Sequence, residues 1–418
     1  MNSTNVPTYQ RTNVPLVVVQ KYGGTSVAGV ERIRAVAKRV AAQAREGDRV
    51  AVVVSAMAGE TDRLIKLGRE FTAEPMSREL DLLMATGEQT SVALLSLALR
   101  ELGIETETFL GFQAGIVTDE NHGRARIERI DAEPVRTALE SGKVAVVAGF
   151  QGATKQGAIT TIGRGGSDTS AVALAAAIGA DRCEIFTDVD GVHTADPRIV
   201  PGARLLPKIT YEEMMELADA GAKVLHSRCV EIAARYRMPL VVRSSFTDGE
   251  GTWVVPEEEH MEGAIVSGIT CNTGEAKVAI RRVPDRAGVT AAIFAPIAKA
   301  GINVDLIIQN VSEDGYTDLT FTAPKEDLRR AMTLAENAAR EVAAGRVEAA
   351  GDIAKISVVG LGMRSHAGVA HRMFEALAKE GIAIQMIGTS EIKVSIVIDI
   401  KYAELAVRVL HEAFGLAA

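Results

Sequence analysis

The sequence predicts an α/β protein: a mainly parallel β-sheet sandwiched by helices, followed by two interlocked ferredoxin-like (βαββαβ) units. Three observations predict this fold class. Short apolar runs alternate with segments of helical periodicity as far as about Ser245. A turn-rich, polar stretch follows, and beyond it lies an internal repeat. A chain of 418 residues is also too long for one hydrophobic core, so two or three domains are expected.

The first part of the chain repeats the order strand, helix, strand. This order indicates a mainly parallel sheet, because each helix must cross over a face of the sheet between two strands. The predicted strands are Leu16–Gln20, Val50–Ser55, Val144–Phe150, Cys183–Asp188 and Leu240–Val242, and helices are predicted through Val30, Ile33, Val36 and Val40, over Ser91–Glu101 and over Ser170–Ile178.

The second part of the chain contains two copies of one pattern. Asp285–Ile307 matches Ser365–Ile387 at a constant offset. The second copy ends before its closing strand, whereas a spare strand at 264–271 precedes the first copy. We expect this strand to cross over and complete the second sheet. The predicted boundaries are a flexible tail at 1–15, a first domain at 16–245, a linker at 246–263, and a paired domain at 264–418 with units at about 276–351 and 354–418.

Composition excludes several classes of protein. The net charge of −8 does not fit a basic nucleic-acid surface. The three cysteines, Cys183, Cys229 and Cys271, are far apart and form no CxxC pair, as expected for a reducing cytoplasm. The N-terminus lacks the apolar segment of a signal peptide, and no run of about 18 apolar residues predicts a membrane span. We therefore expect a cytoplasmic protein without nucleic-acid or membrane partners.

Two glycine-rich segments suit ligand binding. In Lys21–Ser26, a pair of glycines directly after a strand lets backbone N–H groups approach phosphate oxygens, and Lys21 could meet a γ-phosphate. The alternative is an ordinary βα turn, since the segment is not a Walker motif. In Gly163–Asp168, Arg164 offers a planar fork for a carboxylate, and Ser167 or Asp168 could cap the following helix. An Arg paired with a surface Glu is the alternative there.

The opening segment closely resembles the signature of aspartate kinases in the amino-acid kinase family. Further segments resemble that family in the expected order, and together they span nearly the whole chain. The segments are KYGGTSV from Lys21, VVVSAM…T at Val52–Thr61, TGEQ at Thr86–Gln89, GFQG at Gly149–Gly152, TIGRGGSDTSA at Thr161–Ala171, TDVDGVHTADPR at Thr187–Arg198, GAKVLH at Gly221–His226 and VRSS at Val242–Ser245.

The resemblance implies that the chain converts ATP and L-aspartate into ADP and 4-phospho-L-aspartate, the first step toward lysine, threonine and methionine. ATP would bind with Mg²⁺, and the resemblance assigns no protein ligand to the metal. The implied residues are Lys21, Asp168 and Lys223 for catalysis; Ser55, Thr61, Glu88, Arg164 and Gly165 for the substrate; and Gly23, Gly24, Ser26, Thr187, Asp188, His193, Arg198 and Lys223 for ATP.

Some of these residues have a plain structural alternative. Glu88 lies just before a predicted apolar helix, where a carboxylate is favoured by the helix dipole alone. Ser55 and Thr61 could be ordinary turn residues, and Arg198 could form a salt bridge within a DPR turn. His193 stands where many relatives carry Tyr. A catalytic base is not expected, because the reference pKa of the attacking carboxylate is about 3.9 and the group is already ionised.

The paired C-terminal units resemble tandem ACT domains, which bind small amino acids at the turn between the first strand and helix. The resemblance implies feedback control by lysine, threonine or both. It also implies a dimer or higher oligomer that forms through the ACT sheets, and a separate regulatory chain that starts near Met261. The alternative is a purely structural or dimerising pair. The implied effector residues are Asp285, Gly288, Asn303, Asp305 and Gln309, with Ser390 and Glu391 from the second unit facing them.

Three other functions are compatible with part of this sequence pattern. Acetylglutamate and glutamate kinases share the fold but lack the tandem ACT tail. An amino-acid sensor with an inactive kinase domain would not need the intact Lys21, Glu88, Arg164 and Asp188. A fusion with homoserine dehydrogenase would require an appended GxGxxG unit, which is absent.

Overall fold

The computed structural model describes residues 15–72, 77–222, 224–257, 265–310 and 314–417, which form two compact units. The N-terminal unit contains the described residues up to 193 together with 205–219 and 224–257; the C-terminal unit contains 194–204, 220–222 and the described residues from 265 onwards. The predictions for the tail at 1–14, for Lys223 and for Met261 lie outside the described residues.

The N-terminal unit contains two β-sheets and seven α-helices among its described residues. Its strands are β1 (Val17–Tyr22), β2 (Arg49–Val54), β3 (Thr106–Phe109), β4 (Ile116–Thr118), β5 (Ile127–Ile130), β6 (Val144–Ala148), β7 (Gln151–Ala153), β8 (Ile159–Thr161), β9 (Arg182–Thr187), β10 (Lys208–Thr210), β11 (Leu240–Ser244) and β12 (Thr252–Val255). Its helices are α1 (Val30–Arg45), α2 (Glu60–Arg69), α3 (Ser77–Glu101), α4 (Glu133–Glu140), α5 (Gly166–Ile178), α6 (Tyr211–Asp219) and α7 (Ser227–Tyr236).

The main sheet has the strand order β10-β12-β11-β9-β1-β2-β6-β3. Its strands pair in parallel except for β12, which is antiparallel to β11. The central strands are buried on both faces, as their unbroken valine runs require when helices cover both sides. The order places the carboxyl ends of β1 and β2 side by side, because these strands pair from Val17 with Arg49 to Tyr22 with Val54.

Helix α3 is longer than the sequence predicted. It begins at Ser77 and not at Ser91, so Glu88 lies inside the helix and not before it. The sequence TGEQTS lacks an apolar period, but Gly87, Glu88 and Ser91 are buried. Tertiary packing therefore overrides the weak local pattern. By length and composition α3 could cross a membrane, but more than half of its apolar window is buried inside the protein, as in the core helix of a soluble protein.

Helix α5 begins differently from the prediction as well. Its N-cap is Gly165, which adopts a left-handed conformation with φ of 69°, and no side chain caps the helix. Neither Ser167 nor Asp168 therefore has the predicted capping role. Both lie in the first turn, and the carboxylate of Asp168 instead pairs with Lys21.

The C-terminal unit consists of two four-stranded sheets with two helices each. The sheet orders are β15-β16-β14-β17 and β13-β18-β20-β19. The strand β13 pairs antiparallel with β18, so a strand from before the first repeat lies in the sheet of the second. The fold class is confirmed. The elements are β13 (Gly268–Asn272), β14 (Glu275–Pro284), β15 (Ile307–Gln309), β16 (Tyr316–Pro324), β17 (Val347–Ala350), β18 (Ile353–Val359), β19 (Met386–Thr389), β20 (Lys393–Asp399), α8 (Val289–Lys299), α9 (Leu328–Glu341), α10 (Val369–Lys379) and α11 (Ala403–Ala413).

Candidate active site

A cavity of about 380 Å³ lies in the N-terminal unit, where the loops after β1 and β2 meet the start of α5 and the middle of α3. It brings together eight of the residues that the resemblance assigned to catalysis, substrate or nucleotide. Those eight are Lys21, Gly24, Ser55, Thr61, Glu88, Arg164, Gly165 and Asp168.

A buried ion pair lies at one side of this cavity. Lys21 is the penultimate residue of β1, and its Nζ is 2.5 Å from Oδ1 of Asp168 in the first turn of α5. The glycine pair after Lys21 lets the loop that follows β1 approach the loop that follows β2. A Cβ at Gly24 would lie 2.8 Å from the carbonyl oxygen of Ala56, so that only glycine fits there. The ammonium is thus held in a fixed position beside a loop with free space for a ligand.

Glu88 presents an unpaired carboxylate oxygen at the cavity. The residue is 2 % exposed, and its Oε1 accepts a hydrogen bond of 3.0 Å from the N–H of Ala56. Its Oε2 is buried and has no hydrogen-bond partner among the described residues. Burial raises the pKa of Glu88 to about 7, and the Ala56 N–H opposes this rise in part. A cationic ligand would satisfy this oxygen.

Arg164 lies between two glycines in left-handed conformations, Gly163 and Gly165. It makes no hydrogen bond or ion pair with the described residues, so its guanidinium is available for an anion. Gly165 packs against His226: a Cβ on the glycine would lie 2.4 Å from the histidine Cβ. His226 caps α7, with Nδ1 accepting the N–H of Arg228 at 3.4 Å, and burial lowers the pKa of His226.

The predicted nucleotide-binding segments meet at the ends of β1, β9 and β11. Ser26 Oγ donates to Ser245 Oγ at 2.9 Å, and Ser245 Oγ donates to the carbonyl of Thr187 at 3.1 Å. Thr187 Oγ1 in turn donates to Asp188 at 3.1 Å. Gly23 belongs to the same group through its N–H, which donates to the carbonyl of Phe186. These residues border the loop that follows Lys21 and β1.

Two other predicted nucleotide residues are engaged with acids of their own segment. His193 Nε2 is 3.6 Å from Asp190. The side chain of Arg198 is 87 % exposed and pairs with Asp196 through Nε at 3.0 Å and Nη2 at 2.7 Å, which is the DPR-turn salt bridge considered from the sequence. Neither residue lines the cavity.

Phe150 also lines the cavity, although its sequence motif predicts no role for it. It has a φ of 65°, a conformation that non-glycine residues rarely adopt. Its N–H donates to Ser170 Oγ at 3.2 Å and its carbonyl accepts from the N–H of Ile162 at 2.8 Å. Backbone strain of this kind clusters at ligand sites. The GFQG motif marked the position, but no residue-type signal reveals a left-handed Phe.

The predicted effector residues of the first repeat surround the start of α8 and the strand β15. Gly288, with φ of 90°, is the N-cap of α8, and Gln309 accepts a hydrogen bond from Thr290 at 3.1 Å. Asn303 is exposed, and the backbone N–H of Asp285 donates to Gly315. This region therefore has the open turn that an amino-acid ligand would need.

Besides Gln309, three further predicted effector residues already have partners. The carboxylate of Asp305 is ion-paired with the buried Lys355, which also pairs with Glu275. Glu391 is 3.5 Å from Arg364, and the N–H of Ser390 donates to the carbonyl of Lys393. Among the described residues of the C-terminal unit, neither Ser390 nor Glu391 forms a hydrogen bond or ion pair with the first-repeat effector residues.

Three family models match the chain. Residues 16–244 match the amino acid kinase family, and 278–339 and 356–414 each match an ACT domain. An aspartate kinase of Pseudomonas putida is 55% identical over 96% of this chain and 98% of its own, and an aspartokinase of Geobacillus stearothermophilus is 48% identical over 96% and 98%. The crystal structure of E. coli aspartokinase III in complex with aspartate and ADP has a TM-score of 0.80 and 27% identity, covering 95% of this chain and 99% of that chain.

The chain belongs to the amino acid kinase family, as the family model and the full-length relatives show. It is a phosphotransferase with a pair of ACT domains, and its nearly full-length relatives are aspartate kinases.

Proposed function

We propose that this chain transfers the γ-phosphoryl group of ATP to the side-chain carboxylate of L-aspartate. The observation that carries the proposal is the unpaired Oε2 of Glu88 in the same cavity as Arg164 and Lys21. An α-amino acid offers one ammonium and one carboxylate on the same carbon, which match Glu88 and Arg164. The side-chain carboxylate is then free to point towards Lys21. The E. coli structure named above, with aspartate and ADP bound, supports this pairing of ligands.

The transfer itself needs positioning and charge neutralisation. The attacking carboxylate is ionised at neutral pH, so no base is required. The Lys21 ammonium stabilises the charge on the phosphoryl group, and Asp168 fixes the position of Lys21. Ser55 and Thr61 line the cavity and can donate hydrogen bonds to the substrate. Lys223 is proposed as a second phosphate ligand on the family resemblance.

The described residues suit a Mg²⁺ ion that arrives already bound to ATP more than one held by a protein metal site. Asp168 is already paired with Lys21, and the described residues include no cluster of three or more His, Cys, Asp or Glu that could hold a metal. Mg²⁺ would therefore be bound mainly by phosphate oxygens and water, and when bound it supplies neutralisation of the phosphate charge.

The proposal is tested by coupled measurement of ADP release with L-aspartate, and separately with L-glutamate, as acceptor. We expect turnover that depends on aspartate and is far slower with glutamate. If neither amino acid stimulates turnover while lysine or threonine still binds by calorimetry, the chain is an amino-acid sensor and the proposed reaction is wrong.

The raised pKa of Glu88 predicts a pH dependence of aspartate use. Below about pH 7 the free enzyme carries the neutral acid, which cannot form an ion pair with the substrate ammonium. We therefore expect kcat/KM for aspartate to fall about tenfold per pH unit below that value. A pH profile of kcat/KM measures this fall. A profile that stays flat from pH 8 to pH 6 would contradict the assignment of Glu88.

We propose that lysine, threonine or both inhibit the enzyme through the first ACT repeat, in a cytoplasmic dimer or higher oligomer. The E. coli relative has been solved in complex with lysine and aspartate, at 26% identity. Since Asp305 is paired with Lys355, Asp285 is the acid of the site that is left to meet an effector ammonium.

Asp285→Ala is expected to raise the inhibitor concentration for half-inhibition at least tenfold without changing kcat, because an effector ammonium loses its counter-ion. Inhibition curves with lysine and threonine, singly and together, measure the effect. Ser365→Ala, at the matched position of the second repeat, is the control and should leave inhibition unchanged. Equal effects of the two substitutions would argue against a first-repeat site.

A further inference from the structure

A second carboxylate of α3, Asp81, is completely buried near the cavity without lining it. Its Oδ1 accepts a hydrogen bond of 2.5 Å from Thr161 Oγ1 at the end of β8. Its Oδ2 accepts from the backbone N–H of Gly123 at 3.0 Å and lies 2.8 Å from Nδ1 of His122. Unlike Glu88, this carboxylate has partners on both oxygens.

The hydrogen bond from Thr161 links the helix that carries Glu88 to the strand that leads into Arg164. Asp81 and Glu88 are seven residues apart on α3, which places them on the same face of the helix. Thr161 is the last residue of β8, three residues before Arg164. The Asp81–Thr161 hydrogen bond can therefore fix the distance between Glu88, which is proposed to bind the substrate ammonium, and Arg164, which is proposed to bind the substrate carboxylate.

We propose that Asp81 is a positioning residue that sets the separation of Glu88 and Arg164 and thereby selects aspartate over its longer homologue. This inference rests on the proposed function of both residues. The α-carbon of the substrate is fixed between the two charges, and the side-chain carboxylate must then reach the phosphoryl acceptor position beside Lys21. Glutamate is one methylene longer, so its carboxylate is misplaced only while the α-carbon is held firmly.

The adjacent residues Thr160 and Thr161 allow a matched test. Both are completely buried on β8, but Thr160 Oγ1 pairs with Thr118 Oγ1 at 2.6 Å and not with Asp81. Thr161→Val removes one hydrogen bond from Asp81 and leaves the two from the 122–123 turn. We expect it to raise KM for aspartate about tenfold, to leave KM for ATP unchanged, and to lower the preference for aspartate over glutamate by a similar factor. A tenfold change is close to the energy of one hydrogen bond to a charged group, which limits what the loss of the Thr161 bond can transmit to the substrate site.

Thr160→Val should change each of these parameters less than twofold, and Thr161→Ser, which keeps the hydroxyl, should restore the aspartate KM and the preference. Equal effects of Thr161→Val and Thr160→Val, or equal changes in the KM values for ATP and aspartate, would overturn the inference while the proposed function stands. An unmodified enzyme without aspartate-dependent turnover would overturn both.

Discussion

Replacing Lys21 with methionine is expected to lower kcat about 10³-fold, with a much smaller change in KM for aspartate. The ammonium lies beside the glycine pair and is proposed to act on charge that develops as the phosphoryl group is transferred. An interaction made mainly in the transition state lowers kcat and kcat/KM together when it is removed. Steady-state kinetics with aspartate and ATP measure both constants.

The control for this substitution must separate catalysis from folding, because Lys21→Met leaves Asp168 as a buried charge without its partner. The double variant Lys21→Met/Asp168→Asn removes the ion pair as a whole and should fold normally but stay inactive. If the double variant recovered more than a tenth of the original kcat, Lys21 would be a structural residue only.

Glu88→Gln is expected to raise KM for aspartate about 100-fold and to abolish the pH dependence of kcat/KM near pH 7. The amide keeps the size of the side chain but cannot neutralise a substrate ammonium, and a hydrogen bond between charged groups contributes about 3 kcal/mol. The exposed Glu79 on the same helix provides the control, since Glu79→Gln removes a charge that no ligand would meet. An unchanged aspartate KM in Glu88→Gln would remove Glu88 from the site.

The same substitution should also alter stability, with a defined sign. Because the pKa of Glu88 is raised from 4.5 to about 7 by folding, the folded state prefers the neutral acid. Relative to high pH, protonation of Glu88 adds about 3 kcal/mol to the free energy of unfolding. This stabilisation is fully present below pH 4.5 and is lost as the pH rises through about 7. Glu88→Gln should therefore be more stable than the unmodified protein at pH 8 and equally stable at pH 4.5. Denaturant unfolding at the two pH values measures the difference.

Sequence patterns predicted the architecture because it depends on periodicities that are local. Valine runs identified the central strands, and the constant offset between Asp285–Ile307 and Ser365–Ile387 identified the repeat. The spacing of apolar residues did not predict the first half of α3. Gly87, Glu88 and Ser91 are buried there, and their tertiary neighbours stabilise the helix.

Pairings between distant residues could not be predicted in the same way. The sequence marked Lys21 and Asp168 separately, but their ion pair depends on how β1 and α5 pack together. Asp305 was selected for its charge, whereas the fold places Lys355 against it from a strand 50 residues away. The role of Asp81 could not be predicted, because nothing in the sequence around a single helical aspartate indicates that its side chain is buried.

Phosphorylation of the side-chain carboxylate of aspartate is the reaction proposed for this chain. It is tested most directly by incubating the full-length enzyme with ATP, Mg²⁺ and L-aspartate in the presence of hydroxylamine, which traps an acyl phosphate as a stable hydroxamate. We expect one aspartyl β-hydroxamate for each ADP released, and little product with L-glutamate. ADP release without any hydroxamate, or equal hydroxamate formation from both amino acids, would contradict it.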